Sequence, residues 1–442
     1  MELPLGPRSW PLLGALPQMV RDPLGFYAHM GHDFGPVSYA RIAHAHVYLV
    51  AEPKLVEELL TNKQKLTIKD ATTRTLHPLV GLGLLTSEGE LWKRQRKLAA
   101  PAFLPKRLND YEDTMVRCAR DAFSRFADGE RRDFLQDSMR VTLEVVGRTL
   151  LGISDTARLD EVSQLVDEVL AYYQERVHNW GALLPSRFPT PRFRRFQRAK
   201  AGLDALLREV IERVKRDDRD ADHLLARLVR ARGEDGQGMS EQQLLDEAVT
   251  MLLAGHETTA LTLMYVVHLL STHARARDRL REEIDGVLGD RAARADDLEH
   301  MPFLDAVIRE ALRLYPPAYA FGREVVEPFE LGGVSLPKHA QLIVSPWAMH
   351  RNRKYWSEPE AFKPQRWLDG ETKKLPRYVY MPFGGGHRIC IGSHFAMLEA
   401  ALLTATLMQQ VTLDVRPGHR LELAPVVTLR TARGLPVTVT RR

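Results

Sequence analysis

Cys390 closes the run Phe383-Gly384-Gly385-Gly386-His387-Arg388-Ile389-Cys390-Ile391-Gly392, where three consecutive glycines form a bend ahead of a lone thiol. The residues after it, His394 to Met408, have good helix propensity and no breaker, so the thiol is expected about where a helix leaves its first backbone N–H groups unpaired. Those donors and the helix dipole stabilise negative charge, which favours thiolate. A thiolate at a fixed position, with N–H groups aimed at it, is the strong axial donor that a haem iron takes. The plainer alternative is an inert core cysteine beside a glycine loop.

A second cluster, Ala254-Gly255-His256-Glu257-Thr258-Thr259, places a glycine, an acid and two hydroxyls inside a long apolar helical pattern. Glycine in a helix interior costs ~1 kcal/mol relative to alanine, and the close approach of a flat cofactor or a diatomic ligand would justify it. Thr258 either bonds back to the Ala254 carbonyl or turns its hydroxyl outward, and both choices loosen the helix locally. His256-Glu257 shares two residues with the zinc-protease pattern His-Glu-x-x-His, but Ala260 stands where the second histidine belongs, which excludes that reading. A polar turn at a helix kink is the alternative.

Two further pairs sit at helical spacing. Trp92 and Arg96, four apart in Leu91-Trp-Lys-Arg-Gln-Arg-Lys97, offer an indole N–H and a guanidinium on one face. Glu310 and Arg313, three apart, have apolar neighbours Val307, Ile308, Ala311, Leu312 and Leu314. An exposed pair of this kind contributes only ~0.2–0.5 kcal/mol. A buried one must be fully hydrogen-bonded to be tolerated.

The run through Cys390 fits Phe-x-x-Gly-x-Arg-x-Cys-x-Gly at every defined position, and on it the chain resembles the cytochrome P450 family. The segment at Ala254 resembles that family's Ala/Gly-Gly-x-Asp/Glu-Thr-Thr/Ser signature, and Trp92–Arg96 its Trp-x-x-x-Arg motif. Glu310 and Arg313 resemble its Glu-x-x-Arg motif, completed by Arg366 in Phe362-Lys-Pro-Gln-Arg366-Trp367 as a structural lock. The motifs occur in family order, and the resemblance spans nearly the whole chain. It implies a mainly α (α+β) fold, a single P450 domain over residues 1–442, with haem b (iron protoporphyrin IX) between the long helix and the cysteine loop.

The resemblance also implies roles. Cys390 is the axial ligand of the haem iron, and Glu257 with Thr258 forms the acid–alcohol pair that relays protons to dioxygen. A carboxyl and a hydroxyl on neighbouring positions suit such a relay through ordered water. Trp92, Arg96 and Arg388 match propionate ligands, His387 and Arg323 are further candidates, and Ala254, Gly255, Phe383 and Gly392 complete the cofactor-binding set. The implied reaction is insertion of one oxygen atom from O2 into a C–H bond of a hydrophobic small molecule: a fatty acid, terpenoid or steroid. Electrons come from a separate ferredoxin or flavodoxin with its reductase, since no Gly-x-Gly-x-x-Gly fingerprint follows a strand here. The signatures look closer to the fatty-acid and terpene branches than to the camphor-type branch. A peroxide-driven peroxygenase or haem-thiolate isomerase is one rival, and members of that kind typically lack the acid–alcohol pair; a non-enzymatic haem sensor is the other.

Several elements must position these residues. Strand-like runs at Val37 to Ile42 and His46 to Val50 precede a helical body with apolar spacing at Pro53 to Leu60, Glu88 to Ala100, Arg107 to Phe126, Val141 to Leu151, Leu159 to Tyr173 and Phe193 to Lys215. Prolines predict a loop from Asn179 to Arg192, a mobile substrate entrance by resemblance. The longest helix starts at the capping box Ser240/Gln243 and runs to about Thr272. Phe303 to Tyr315 is helical up to Pro316-Pro317, Phe329 to Leu331 and Val334 to Leu336 form a Gly332-Gly333 hairpin, and strands close the chain at Val426 to Leu429 and Val437 to Thr440. By analogy the substrate pocket is lined from Asp70 to Leu85, from Ala248 to Thr258, from Ala318 to Phe321 and by Val426-Val427, mostly apolar segments.

Composition narrows the setting. Two cysteines, Cys118 and Cys390, are too few for a disulfide framework, a four-cysteine zinc site or an iron–sulfur cluster, which fits a reducing cytoplasm. No apolar stretch approaches the ~20 residues that span a bilayer, and no secretion signal opens the sequence. A net charge of +5 without a concentrated basic face argues against nucleic acid as partner. Lys93, Arg94, Lys97, Lys373 and Arg377 are candidates for a basic patch that steers an acidic electron donor.

Overall fold

The computed structural model describes residues 3–178, 190–217 and 221–442. These form two units, each from two separated stretches: Met1–Thr75 with Asp305–Ile391, and Leu76–Leu304 with Gly392–Arg442.

In the first unit a five-stranded sheet runs in the order Val37–Ile42, Ala45–Val50, Gln341–Val344, Phe321–Val325, Thr67–Lys69. Ala45–Val50 pairs parallel with Gln341–Val344 and every other neighbour is antiparallel. Alternation of apolar residues explains the sheet: Val37, Tyr48, Val50, Leu342 and Val344 enter one buried cluster with Val56 and Leu59 of helix Pro53–Thr61. Ala40 and Leu49 bury on the other side with Phe26 and Met30 of helix Pro23–Asp33. The Gly332-Gly333 hairpin forms as expected, both glycines at positive φ (+59° and +78°).

The second unit is helical. Its axis is Glu241–Thr272, capped by both halves of the expected box: Gln243 N–H donates to Ser240 Oγ at 3.2 Å and Ser240 N–H to Gln243 Oε1 at 2.8 Å. Around it lie Gly89–Ala99, Glu112–Phe123, Phe134–Thr149, Thr156–His178, Pro191–Arg216 and Ser393–Gln410. Strand Pro436–Arg441 pairs antiparallel with both Arg131–Asp133 and Val411–Val415.

Several expected boundaries move. The helix predicted at Arg107 to Phe126 is broken at Asn109–Tyr111, where Tyr111 OH donates to the Asp222 carbonyl and spends the register on a tertiary bond. The one predicted from Val141 begins at Phe134, because Asp133 caps it by accepting from Leu135 N–H. Of the predicted loop Asn179 to Arg192, residues 179–189 lie outside the described residues, whereas Pro191 opens a helix that Thr190 caps. Nor is Val426 to Leu429 a strand. Leu423–Pro425 and Leu429–Thr431 pair, and residues 426–428 are their turn, with Val427 exposed. Among the described residues no helix is long and apolar enough to cross a membrane.

Candidate active site

The cysteine loop, in the first unit, is closed by its own backbone: Cys390 N–H donates to the Phe383 carbonyl at 3.0 Å. Within it Gly386–Arg388 makes a single 3-10 turn. Gly384 and Gly386 hold φ of +70° and +63°, a region that glycine alone enters without strain. A Cβ on Gly386 would lie 2.2 Å from the Leu60 carbonyl oxygen, so the loop also needs glycine to approach that backbone. Cys390 is exposed and outside any disulfide. Phe383, Arg388 and Gly392 are half-buried and His387 is exposed. Gly392 is the N-cap of helix Ser393–Gln410, so Cys390 lies three positions ahead of the first helical residue, at the approach to the helix where it was expected. The second thiol, Cys118, is buried, and burial pushes it up to about 12, which marks it as inert.

Behind the loop stands a buried polar cluster whose parts the sequence named only in part. Arg313 is fully buried, and its guanidinium donates five hydrogen bonds: two to Glu310 at 2.8 and 2.9 Å, and one each to the carbonyls of His350, Pro359 and Ala361. Five N–H groups are all that an arginine carries, so the charge is buried with no donor wasted. Glu310 in turn accepts from Arg366 Nε at 3.1 Å, Lys363 N–H and Trp367 Nε1 at 2.9 Å. His350 links this cluster to the loop. Met381 N–H donates to its Nε2 at 2.9 Å, so Nδ1 carries the proton and donates to the Arg313 carbonyl at 3.2 Å. Burial holds this imidazole down at about 3, which keeps it neutral and able to accept. Sequence reasoning found Glu310, Arg313 and Arg366. It missed His350, which belongs to no short motif.

In the second unit the helix Glu241–Thr272 is buried along most of its length, yet Ala254 is exposed and Thr258 half-buried one turn later. Ala254, Gly255 and Thr258 therefore interrupt the buried length of the helix at one open face. Thr258 Oγ1 donates to the Ala254 carbonyl at 2.7 Å, the first of the two alternatives open to it. Gly255 also packs closely on helix Phe134–Thr149: a Cβ there would press on Val146 at 3.2 Å. His256 is buried, its ring nitrogen 3.0 Å from the Leu252 carbonyl, and burial lowers its affinity for a proton. Glu257 is buried too, but it is not alone. Arg430 Nε and Thr428 Oγ1 both donate to its Oε1 at 2.5 Å. Neither partner was anticipated, since a hairpin so distant in sequence gives no local signal of what its side chains meet.

Comparison with known proteins decides what this assembly is. The Cytochrome P450 family profile matches residues 4–429. This chain is a cytochrome P450. It is 34% identical over 418 residues to cyclooctat-9-en-7-ol 5-monooxygenase of Streptomyces melanosporofaciens, covering 94% of this chain and 90% of that one. With pentalenene oxygenase of Streptomyces avermitilis it shares 33% over 438 residues, 99% and 97% of the two chains. The structure of retinoic acid-bound cyanobacterial CYP120A1 superposes with a TM-score of 0.88 at 28% identity, covering 100% of both chains. The protein is thus a P450 monooxygenase of the P450 fold, and the cofactor of its family is haem b.

The residues present suit that cofactor in donor chemistry: an exposed soft thiol on a rigid loop for the iron, and arginines with an indole for two carboxylates. Trp92 and Arg96 are half-buried on helix Gly89–Ala99, where Gln95 anchors the helix by donating to the Leu82 carbonyl at 2.8 Å. Arg323 is buried on strand Phe321–Val325 and donates to the Gly322 carbonyl at 2.7 Å. Four of the five candidate patch cations are locally paired: Lys93 with Glu90, Arg94 with Asp235, Lys97 with Glu234 and Arg377 with Glu57. Cations whose charge is already matched steer a partner weakly.

Proposed function

We propose that this P450 hydroxylates a terpenoid, taking electrons from a separate ferredoxin or flavodoxin and its reductase in the cytoplasm. The observation that carries the reading is Cys390, exposed on a loop that His350 ties to the saturated Glu310–Arg313 pair. Haem b, when bound, supplies the activation of dioxygen and the transfer of one oxygen atom to a C–H bond.

The chain's own residues do the rest. Cys390 offers its thiolate to the iron, and the brace behind the loop keeps the sulfur in place. Trp92, Arg96, Arg388, Arg323 and His387 would provide indole, guanidinium and imidazole donors for the propionates, and Phe383, Ala254, Gly255 and Gly392 would complete the cofactor-binding set. Thr258 holds a hydroxyl beside the open face at Ala254, with Glu257 buried next in sequence as the acid of the relay. Terpenoid chemistry is supported by the relatives named for pentalenene and cyclooctat-9-en-7-ol, which match this chain along almost its whole length.

A ligand screen tests the substrate class: polycyclic terpenes, fatty acids and steroids are titrated into the ferric holoenzyme and the low-to-high spin shift is followed. Terpenes are expected to produce it, and a shift with fatty acids or steroids alone refutes the assignment. Turnover that needs dioxygen, reductant and both redox proteins supports the monooxygenase cycle. Equal product from peroxide alone would overturn it.

A further inference from the structure

A cleft of about 1020 Å³ opens in the second unit and includes no residue of the cofactor-binding set. Helix Gly89–Ala99 contributes Lys93, Arg94 and Lys97 to it, and helix Leu224–Arg230 with the residues after it contributes Arg227, Arg230 and Arg232. Arg107, from helix Pro105–Leu108, is the seventh cation. Only four acids line the same space, so it carries an excess of three positive charges. Leu98 and Ala102, both buried, supply an apolar floor with Pro101.

The walls are held by their own hydrogen bonds. Arg227 Nε donates to the Asp222 carbonyl at 2.8 Å, and its Nη2 to the carboxylates of Asp110 and Asp222 at 3.0 and 3.3 Å. Arg94 Nη2 donates to the carbonyls of Gln237 and Gly238, both at 3.0 Å, and so ties the acidic turn of Glu234 and Asp235 to helix Gly89–Ala99. That turn is closed by Gly233 N–H, which donates to the Gln237 carbonyl at 2.9 Å. Other cations are open to exchange. Lys93 and Lys97 meet Glu90 and Glu234 in exposed pairs, which are weak enough to yield to a stronger anion. Arg107 and Arg232 are exposed, and neither has a carboxylate within pairing distance among the described residues. Arg232 Nη1 donates to the carbonyls of Val229 and Ala231.

We infer that this cleft binds an organic diphosphate, with its phosphates on Arg107 and Arg232 and its body on Leu98, Pro101 and Ala102. Planar guanidinium forks match phosphate oxygens. A diphosphate ester carries about three negative charges, one phosphate doubly and one singly ionised, which balances the excess. The volume is that of a small-molecule site. An acidic protein would touch the rim and leave the apolar floor uncovered.

Calorimetric titration of the holoenzyme with ADP, geranyl diphosphate and inorganic diphosphate tests this. At least one ester is expected to bind roughly tenfold tighter than inorganic diphosphate, because only an ester covers the floor. The two esters separate a nucleoside body from an isoprenoid one. Arg107→Ala with Arg232→Ala should weaken ester binding by about tenfold or more. Glu234→Gln with Asp235→Asn should tighten it by roughly threefold, since two competing carboxylates are gone. The ferrous carbon monoxide spectrum and thermal midpoint of each variant check that the fold is intact. Failure of both esters to bind, equal affinity for inorganic diphosphate, or affinity unchanged in the arginine variant overturns the inference. So does an arginine variant that loses an acidic electron donor when the unmodified protein takes no diphosphate.

Discussion

Arg430 Nε donates to Glu257 Oε1, joining the second strand of a C-terminal hairpin to the acid of the central helix. A buried carboxylate at this position needs a cation, and removal of one partner of a buried pair is more disruptive than absence of both. Arg430→Leu is therefore expected to lower product formation by roughly 10²-fold, the usual range for a misplaced proton-transfer group, while substrate-induced spin shift is retained. Reductant is then consumed into peroxide, and Arg430→Lys recovers part of the coupling. Product per reductant oxidised is the measurement, and unchanged coupling in Arg430→Leu would remove Arg430 from the relay.

Glu310 and Arg313 are held by more bonds than any other pair described here. Glu310→Ala leaves a fully buried guanidinium with two of its five donors unmatched, so stability should fall by about 3–5 kcal/mol. Arg313→Lys is expected to be nearly as harmful, since an ammonium cannot reproduce the planar fork. Thermal midpoints of the holoenzyme and retention of haem through gel filtration report the loss.

Two glycines of the cysteine loop separate strain from crowding. Both have positive φ, but a Cβ at Gly384 meets nothing within 4 Å, whereas at Gly386 it meets the Leu60 carbonyl. Gly384→Ala is expected to cost on the order of 1 kcal/mol and to keep the red-shifted ferrous carbon monoxide band. Gly386→Ala should lose that band in part or whole. Equal spectra for the two variants would show that the backbone approach is not what places Cys390.

Stability against pH has a definite sign in each window. Burial raises Glu247 from 4.5 to about 8, opposed by the bond it accepts from Leu84 N–H. Between those values the folded chain holds a proton that the unfolded chain has released, so stability declines as pH rises by up to a few kcal/mol. Glu399, buried against the Thr259 hydroxyl and raised well above 4.5 by burial, acts in the same direction. His350 opposes them at lower pH: unfolded near 6.5 and folded near 3, its contribution is complete above 6.5 and lost as pH falls towards 3. Glu247→Gln should flatten the decline above 6.5, read from thermal midpoints across that range.

Much of this was legible in the sequence because it is local. The capping box at Ser240, the Gly332-Gly333 hairpin, the Glu310–Arg313 spacing and the cysteine run each act within a few residues, where spacing dictates geometry. What escaped was tertiary. Arg430 and Thr428 reach Glu257 across more than 170 residues, and the apolar run Val426 to Leu429 has strand composition but is needed as a turn. The glycine at 255 was noticed for its cost, but its close packing on Val146 was not foreseen, because a sequence shows that a side chain is missing and not what lies against its place.

The pairing of Glu257 with the hairpin also orders events in time. A ribosome releases the central helix long before Thr428 and Arg430 exist, so the acid spends most of synthesis without its cation. The ion pair of Glu257 can form only when the strand Leu429–Thr431 has been made. A chain interrupted before Thr428 would carry every family motif and still lack both partners of Glu257.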